Sequence, residues 1–294
     1  MPNWPDLENE ISAHTGIDFS GSRQRPLGGG CINDTYEISN DRHHFFIKLS
    51  TRDQSDMFSA EAAGLNEILE SSSVRAPKPI CWGNNSTNSY IVMEYIDLGS
   101  GTADTPVTLG HQLAKMHRTT SAQFGWYRNN TIGSTPQPND WTQSWIEFYR
   151  KHRLGFQFSL AEHSGCGSSL LKKGDDLLMN LDVFFDDYEP AASLLHGDLW
   201  SGNYAADDKG QPLIYDPAVY YGDRETDLAM TELFGGFPQR FYAAYNDAYP
   251  LNTGYKTRKM LYNLYHILNH FNLFGGGYAN QAENMVQRLL SEIR

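Results

Sequence analysis

Between residues 194 and 217 two carboxylates stand beside two short apolar runs. Leu194-Leu195 leads into His196-Gly197-Asp198-Leu199-Trp200-Ser201-Gly202-Asn203, and Pro212-Leu213-Ile214-Tyr215 leads into Asp216-Pro217. Gly210 between them supplies a turn, so the pattern predicts a hairpin that presents both acids at one edge. The competing explanation is an Asx-rich surface loop with solvated acids, and the rest of the chain decides between the two.

Asn203 follows Asp198 by five residues and His196 precedes it by two, which is the spacing of a phosphotransferase catalytic loop. Moving a phosphoryl group from ATP needs a carboxylate beside the attacking hydroxyl. It also needs an amide oxygen on magnesium and a second carboxylate bridging magnesium to the phosphates. Asp198, Asn203 and Asp216 meet those needs in that order.

Upstream, Gly28-Gly29-Gly30-Cys31-Ile32-Asn33 separates two strand-like runs. Glycines let backbone amides approach an anion closely, so the segment is a candidate cover for ATP phosphates, although a plain hairpin turn has the same composition. Lys48 lies in the apolar run 45–49, and in a strand it shares a face with Phe46. Glu61 falls on the helical stripe of Phe58, Leu65 and Ile68. A carboxylate on an apolar stripe invites a cation, and Lys48 with Glu61 is the pair expected to hold phosphates. The run 90–95 ends at Glu94 and Tyr95, whose main chain is placed to meet adenine. Glycine and small polar residues then mark a hinge, which divides the chain into 1–96, for phosphate binding, and 97–294, for catalysis, magnesium and substrate.

Beyond the hinge the periodicity is helical. Leu109, Leu113 and Met116 form one stripe, Trp141, Trp145, Phe148 and Tyr149 a second, and Leu177, Leu181, Phe184 and Tyr188 a third. His117, His266 and His270 read as packed helix residues. Residues 124–141 read as a long irregular loop and a candidate substrate wall, with Trp126 and Trp141 in it. Asp227 could cap the helix that begins near it, and the acid at this place in kinase-like folds also braces the catalytic loop; it is assigned structure, as is His196. Nothing between Asp216 and that helix leaves room for a phosphorylated activation loop.

Composition bounds the partners. The net charge of −12 opposes binding to nucleic acid, and no apolar run in the 294 residues approaches a membrane helix. Three separated cysteines argue against a disulfide framework or a zinc site, and with no secretory leader the expected compartment is the cytoplasm.

Together, the segments 28–33, 124–126, 136–141, 196–203 and 222–230 resemble the fructosamine (ketosamine) kinase family, within the aminoglycoside phosphotransferase and choline kinase group. The most specific parts are Asp-Leu-Trp-Ser-Gly-Asn and Gly-Asp-Arg-Glu-Thr-Asp-Leu-Ala. The resemblance implies an α+β, two-lobed protein-kinase-like fold, with a small antiparallel-sheet N-lobe carrying one main helix and a larger, mostly helical C-lobe. It implies ATP- and Mg2+-dependent phosphorylation of a sugar hydroxyl on a small ketosamine or a glycated lysine of a protein, and so deglycation. Asp198 would take the hydroxyl proton, Asn203 and Asp216 would hold magnesium, and Trp200 would pack on the sugar or else on the core. Cys31 would be a redox position through which an otherwise monomeric chain could pair. Phosphorylation of another amino alcohol or aminoglycoside, and nucleotide binding without catalysis, are the alternatives.

Overall fold

A computed structural model describes residues 2–28 and 33–293. Two compact units form, one from residues 1–105 and 204–217 and the other from 106–203 and 218–294. This grouping departs from a single division after residue 96. The strand Tyr204–Asp207 pairs with Pro212–Ile214 and with Leu98–Gly99, so the hairpin bearing Asp216 belongs with the N-terminal part.

In the first unit, helix α1 (Trp4–Thr15) starts at Asn3, whose side chain accepts from Asp6 N–H, and stops at Gly16 in the left-handed conformation. Strands β1 (Arg23–Leu27), β2 (Asp34–Ser39) and β3 (His44–Ser50) are followed by α2 (Ser55–Glu70), β4 (Pro79–Asn84) and β5 (Ser89–Glu94). The strands form one antiparallel sheet in the order β1-β2-β3-β5-β4. Alternation along β3 sends Phe45, Ile47 and Leu49 into a core with Leu7 and Ile11 of α1 and Cys81, Tyr90 and Val92 of the neighbouring strands. Lys48 points to the opposite face, where α2 packs. The sheet therefore carries a helix on each face, α1 in addition to the one main helix expected.

The second unit is helical: α3 (Thr105–Met116), α4 (Trp145–Phe148), α5 (Phe156–His163), α6 (Ser168–Met179), α7 (Glu225–Leu233), α8 (Gln239–Ala248), α9 (Tyr255–Phe274) and α10 (Tyr278–Ile293). A π-helical turn, Tyr149–Gly155, joins α4 to α5. Helix α9 is buried on most sides, as a central helix must be, and α10 covers it with Ala282, Val286, Leu289 and Leu290 at helical spacing. Leu109, Leu113 and Met116 are buried as expected. The other two stripes need correction. Trp141 lies outside α4 because Ser144 caps that helix, its hydroxyl accepting from Glu147 N–H. Helix α6 ends at Met179, and Leu181 and Phe184 reach the core from a separate 3-10 turn. Among the described residues no helix is long and apolar enough to cross a membrane.

Candidate active site

In the first unit, Lys48 is buried and its ammonium donates to Glu61 Oε1 at 2.6 Å and to Asp216 Oδ1. The expected Lys48–Glu61 pair is thus formed, and Asp216 joins it. Burial opposes charge on Lys48, but Asp216 and Glu61 more than compensate and hold it protonated, with its pKa above the usual lysine range. Glu61 is pushed up by burial, against the pull of Lys48, and further by Asp216. Two carboxylates around one ammonium leave an excess negative charge on the trio. Asp216 has φ +57°, a left-handed conformation that costs a residue with a Cβ on the order of 1 kcal/mol, and its side chain is about half exposed.

Gly28 and Asn33 frame the glycine segment, and Gly29, Gly30, Cys31 and Ile32 lie outside the described residues. The β1–β2 pairing reaches Leu27 opposite Thr35, whose hydroxyl donates to Leu27 O at 2.7 Å. At the end of β5, Glu94 N–H donates to Lys78 O at 2.8 Å and the Glu94 carboxylate takes Arg75 at 3.0 Å. Tyr95 OH accepts from Arg25 at 3.2 Å. Burial pushes the Cys81 thiol up to about 12 and raises Cys166 as well, so neither has the thiolate character of a redox cysteine.

In the second unit, strand Ser193–Leu195 pairs antiparallel with Tyr220–Gly222 and leads into the loop 196–203. The loop is tied at three points. His196 O accepts from Ala218 N–H at 2.8 Å, and Asp227 accepts from the N–H groups of His196 and Gly197 at 2.7 and 2.8 Å. Of the two roles expected for Asp227, it braces this loop, and it does not cap its own helix, since it already lies inside α7. Burial works against its charge, yet hydrogen bonds from His117 and the His196 backbone bring its pKa below the ordinary value. His117, fully buried between Asp227 Oδ2 at 3.1 Å and Tyr245 OH at 2.8 Å, supports the brace, a role that helical periodicity alone does not reveal. Gly197 has φ +82°, and a Cβ there would lie 2.1 Å from Ala218 O, so only glycine fits. Asn203 Nδ2 donates to Asp198 O at 2.9 Å and to Asp198 Oδ2 at 3.4 Å. The amide oxygen is thereby the Asn203 atom available to a hard cation.

Trp200 is 40 % exposed with its ring laid across Gly202, so it is not a core tryptophan. The 124–141 segment is more ordered than its composition suggests. It contains a hairpin, Asn130–Ile132 with Thr135–Gln137, and Gly125 bridges to Tyr221 through two hydrogen bonds of 2.8 and 2.9 Å. Its polar side chains turn inward: Asn130 donates to Val219 O at 2.8 Å, Gln137 to Ala218 O at 3.1 Å, and Asn139 to Asn130 at 2.8 Å. Buried Arg153 donates to Asn139 Oδ1 at 2.7 Å and stacks on Tyr220 at 3.9 Å. The segment is thus fastened to the strand pair that carries the catalytic loop. Trp126, 2 % exposed, is packed inside it and offers no face to a substrate, which corrects its expected contact role. Trp141 remains 40 % exposed, with its ring centroid 6.2 Å from that of Tyr221.

Comparison with known proteins agrees with this geometry. The model of the fructosamine kinase family matches residues 3–292. The chain is 47% identical over 288 residues to a "Probable ketoamine kinase" of Synechocystis sp., covering 98% of this chain and 97% of the relative. It is 42% identical over 294 residues to the chloroplastic protein-ribulosamine 3-kinase of Oryza sativa subsp. japonica, covering 99% and 83%. The crystal structure "Putative fructosamine-3-kinase" of Haemophilus somnus superposes with a TM-score of 0.89 at 26% identity, covering 98% and 97%. With the braced loop, the lysine–carboxylate trio and a match over nearly the whole length all in agreement, the chain belongs to the fructosamine kinase family.

Proposed function

We propose that this protein is a kinase that transfers the γ-phosphoryl group of ATP to a sugar hydroxyl of a ketosamine, the rearranged adduct of a sugar and an amine. Family membership supports the reaction class, and one observation supports the residue roles. Asn203 holds Asp198 through both its carbonyl and its carboxylate, while Asp227 fixes the two residues before it. A base and a metal ligand are thus preset in one turn, which is what phosphoryl transfer asks of a protein.

In this reading Asp198 orients the acceptor hydroxyl and takes its proton as the oxygen bonds to the γ-phosphorus and the bond to ADP breaks. General-base action of this kind contributes roughly 10²- to 10⁴-fold. Lys48, kept charged by Glu61, binds phosphate oxygens, and Gly28 to Asn33 closes over them. The Glu94 and Tyr95 main chain meets adenine. Trp200 packs against the C–H groups of the sugar, and Trp141 extends the wall. Asn203 and Asp216 offer two hard oxygen donors, and the excess negative charge of the Lys48 trio suits a divalent cation. Magnesium at those donors would neutralise charge developing on the transferred phosphoryl group.

The test is ADP release from Mg-ATP with ribulosyl and fructosyl adducts of small amines and of lysine peptides, beside aminoglycosides and choline, with Asp198→Ala as the blank. Turnover confined to the ketosamines is expected, and the better sugar names the physiological adduct. Turnover of an aminoglycoside or choline alone, or equal turnover by Asp198→Ala, would overturn the assignment.

A further inference from the structure

Among the described residues, the bulkiest side chain sealed off from solvent is a charged one. Arg153 is fully buried, and among the described residues no carboxylate forms an ion pair with it. Its guanidinium donates to three neutral oxygens, Pro138 O and Asn139 Oδ1 at 2.7 Å and His152 O at 2.9 Å. It also lies over the rings of Tyr220 and Phe148, 3.9 and 4.5 Å from their centroids. A cation withdrawn from water without a counter-ion costs stability, and its neighbours show what it fixes. The π-helical turn Tyr149–Gly155 carries it, a geometry that is rare and concentrates at functional sites. A Cβ on Gly155 would lie 2.4 Å from Arg150 O, so only glycine closes this turn.

An arginine can only donate, and this gives a direction to the amides beside it. Asn139 presents its oxygen to Arg153 and so points its NH2 the other way, to Asn130 Oδ1 at 2.8 Å. Gln137 donates to the same oxygen at 2.8 Å, and Asn130 in turn donates to Val219 O at 2.8 Å. Gln137 Nε2 also reaches Ala218 O at 3.1 Å, while its own oxygen accepts from Tyr265 OH at 2.7 Å. The chain of donors thus ends on the carbonyls of Ala218 and Val219. Ala218 is where the loop 196–203 rests: its N–H donates to His196 O at 2.8 Å, and its carbonyl is the wall against Gly197. Burial raises the pKa of the Tyr265 hydroxyl, Arg153 opposes that and Asp198 adds to it, so this hydroxyl lies within electrostatic reach of both.

We propose that Arg153 is a positioning residue for phosphoryl transfer: by orienting the amides of Asn139, Asn130 and Gln137 it holds Ala218, and through Ala218 the loop that carries Asp198. The inference rests on the kinase reading above and adds a residue to it. A guanidinium suits the task because its edge donates in a fixed plane while its face stacks on Tyr220. Lysine keeps the charge but has neither the fork nor the flat face. Methionine fills the space and leaves Asn139 without the donor that sets its direction, so the amides are free to turn over.

The experiment compares the full-length wild type with Arg153→Lys, Arg153→Met, Gln137→Met and the double variant Arg153→Lys/Gln137→Met. Steady-state kinetics with Mg-ATP and the preferred ketosamine are corrected for the fraction folded, and amide hydrogen exchange is followed by mass spectrometry without substrate. For Arg153→Met, kcat should fall roughly 10²-fold, and for Arg153→Lys about tenfold, with both Michaelis constants within about twofold. The double variant should be no slower than the slower single one within about twofold, because both changes act on one chain of contacts. Exchange in residues 196–203 should quicken while α9 and α10 stay as in the wild type. Losses that multiply, a kcat that falls only with the fraction folded, or exchange that quickens evenly through the helical unit would overturn the inference. Gln137→Met spares the buried cation, so if the Arg153 variants do not fold, unchanged loop exchange in Gln137→Met overturns it. A wild type that turns over no ketosamine would overturn the kinase reading alone, and the exchange measurement would still decide the role of Arg153.

Discussion

Lys48 Nζ sits between two carboxylates of different elements, 2.6 Å from Glu61 Oε1 on α2 and bonded to Asp216 Oδ1 on the far side of the sequence. A phosphate that recruits this ammonium must compete with Asp216, and Glu61 keeps Lys48 poised between the two. Glu61→Gln removes one charge and leaves Asp216 as the stronger partner. The Michaelis constant for ATP should then rise about tenfold with a smaller change for the acceptor, as expected when ~1.4 kcal/mol of binding is lost. Lys48→Met strands two acids without their cation and should cost roughly 3–5 kcal/mol of stability, readable by urea unfolding.

Gly197→Ala tests the approach of the catalytic loop to Ala218. With φ at +82° and only 2.1 Å between the new Cβ and Ala218 O, the loop must move. A displacement near 1 Å beside Asp198 should lower kcat by roughly 10²-fold. Far-ultraviolet circular dichroism should be unchanged, since the helices do not depend on this residue.

Asp227→Ala removes the acceptor of two backbone N–H groups and of His117. Leaving those donors buried should cost about 1–3 kcal/mol each at most. Activity should fall further than stability accounts for, because the loop that carries Asp198 loses its anchor. Comparing kcat with the fraction folded, measured on the same sample, separates the two effects.

His266 gives the helical unit a pH signature. It is buried on α9, and desolvation lowers its pKa from 6.5 to about 3. Its Nδ1 has no hydrogen-bond partner among the described residues. The folded chain keeps this ring neutral down to that value, whereas the unfolded chain protonates it near 6.5, so the unfolded state binds the extra proton in between. Stability contributed by the neutral ring is complete above pH 6.5 and is lost as pH falls toward 3, at ~1.4 kcal/mol per unit. Urea unfolding at pH 7, 5.5 and 4 should show a steeper decline for wild type than for His266→Gln, and parallel slopes would refute it.

How much of this was legible beforehand depends on the range of each interaction. The Lys48–Glu61 pair could be read because periods of 2 and 3.6 place each residue on a definite face, and the loop from His196 to Asn203 because its spacing is local. The bond from Lys48 to Asp216 spans 168 residues and leaves no local trace. Residues 124–141 read as a long irregular loop from composition alone, yet Asn130, Gln137 and Asn139 within it are each buried with a partner, which tethers the segment. Trp126 and Trp141 are the same residue type in one segment. Only the packing of that segment against Tyr221 separates the buried one from the open one.

The return of residues 204–217 to the first unit also sets a timetable for synthesis. The sheet and α2 emerge early, but the strand that pairs with Leu98–Gly99, and Asp216 beyond it, emerge only after residues 106–203 have been made. At ~5–20 residues per second that is a wait of roughly 5–20 s on the ribosome, during which Lys48 and Glu61 lack their third partner. Until then the sheet edge at Leu98–Gly99 lacks its partner strand, and the first unit is incomplete.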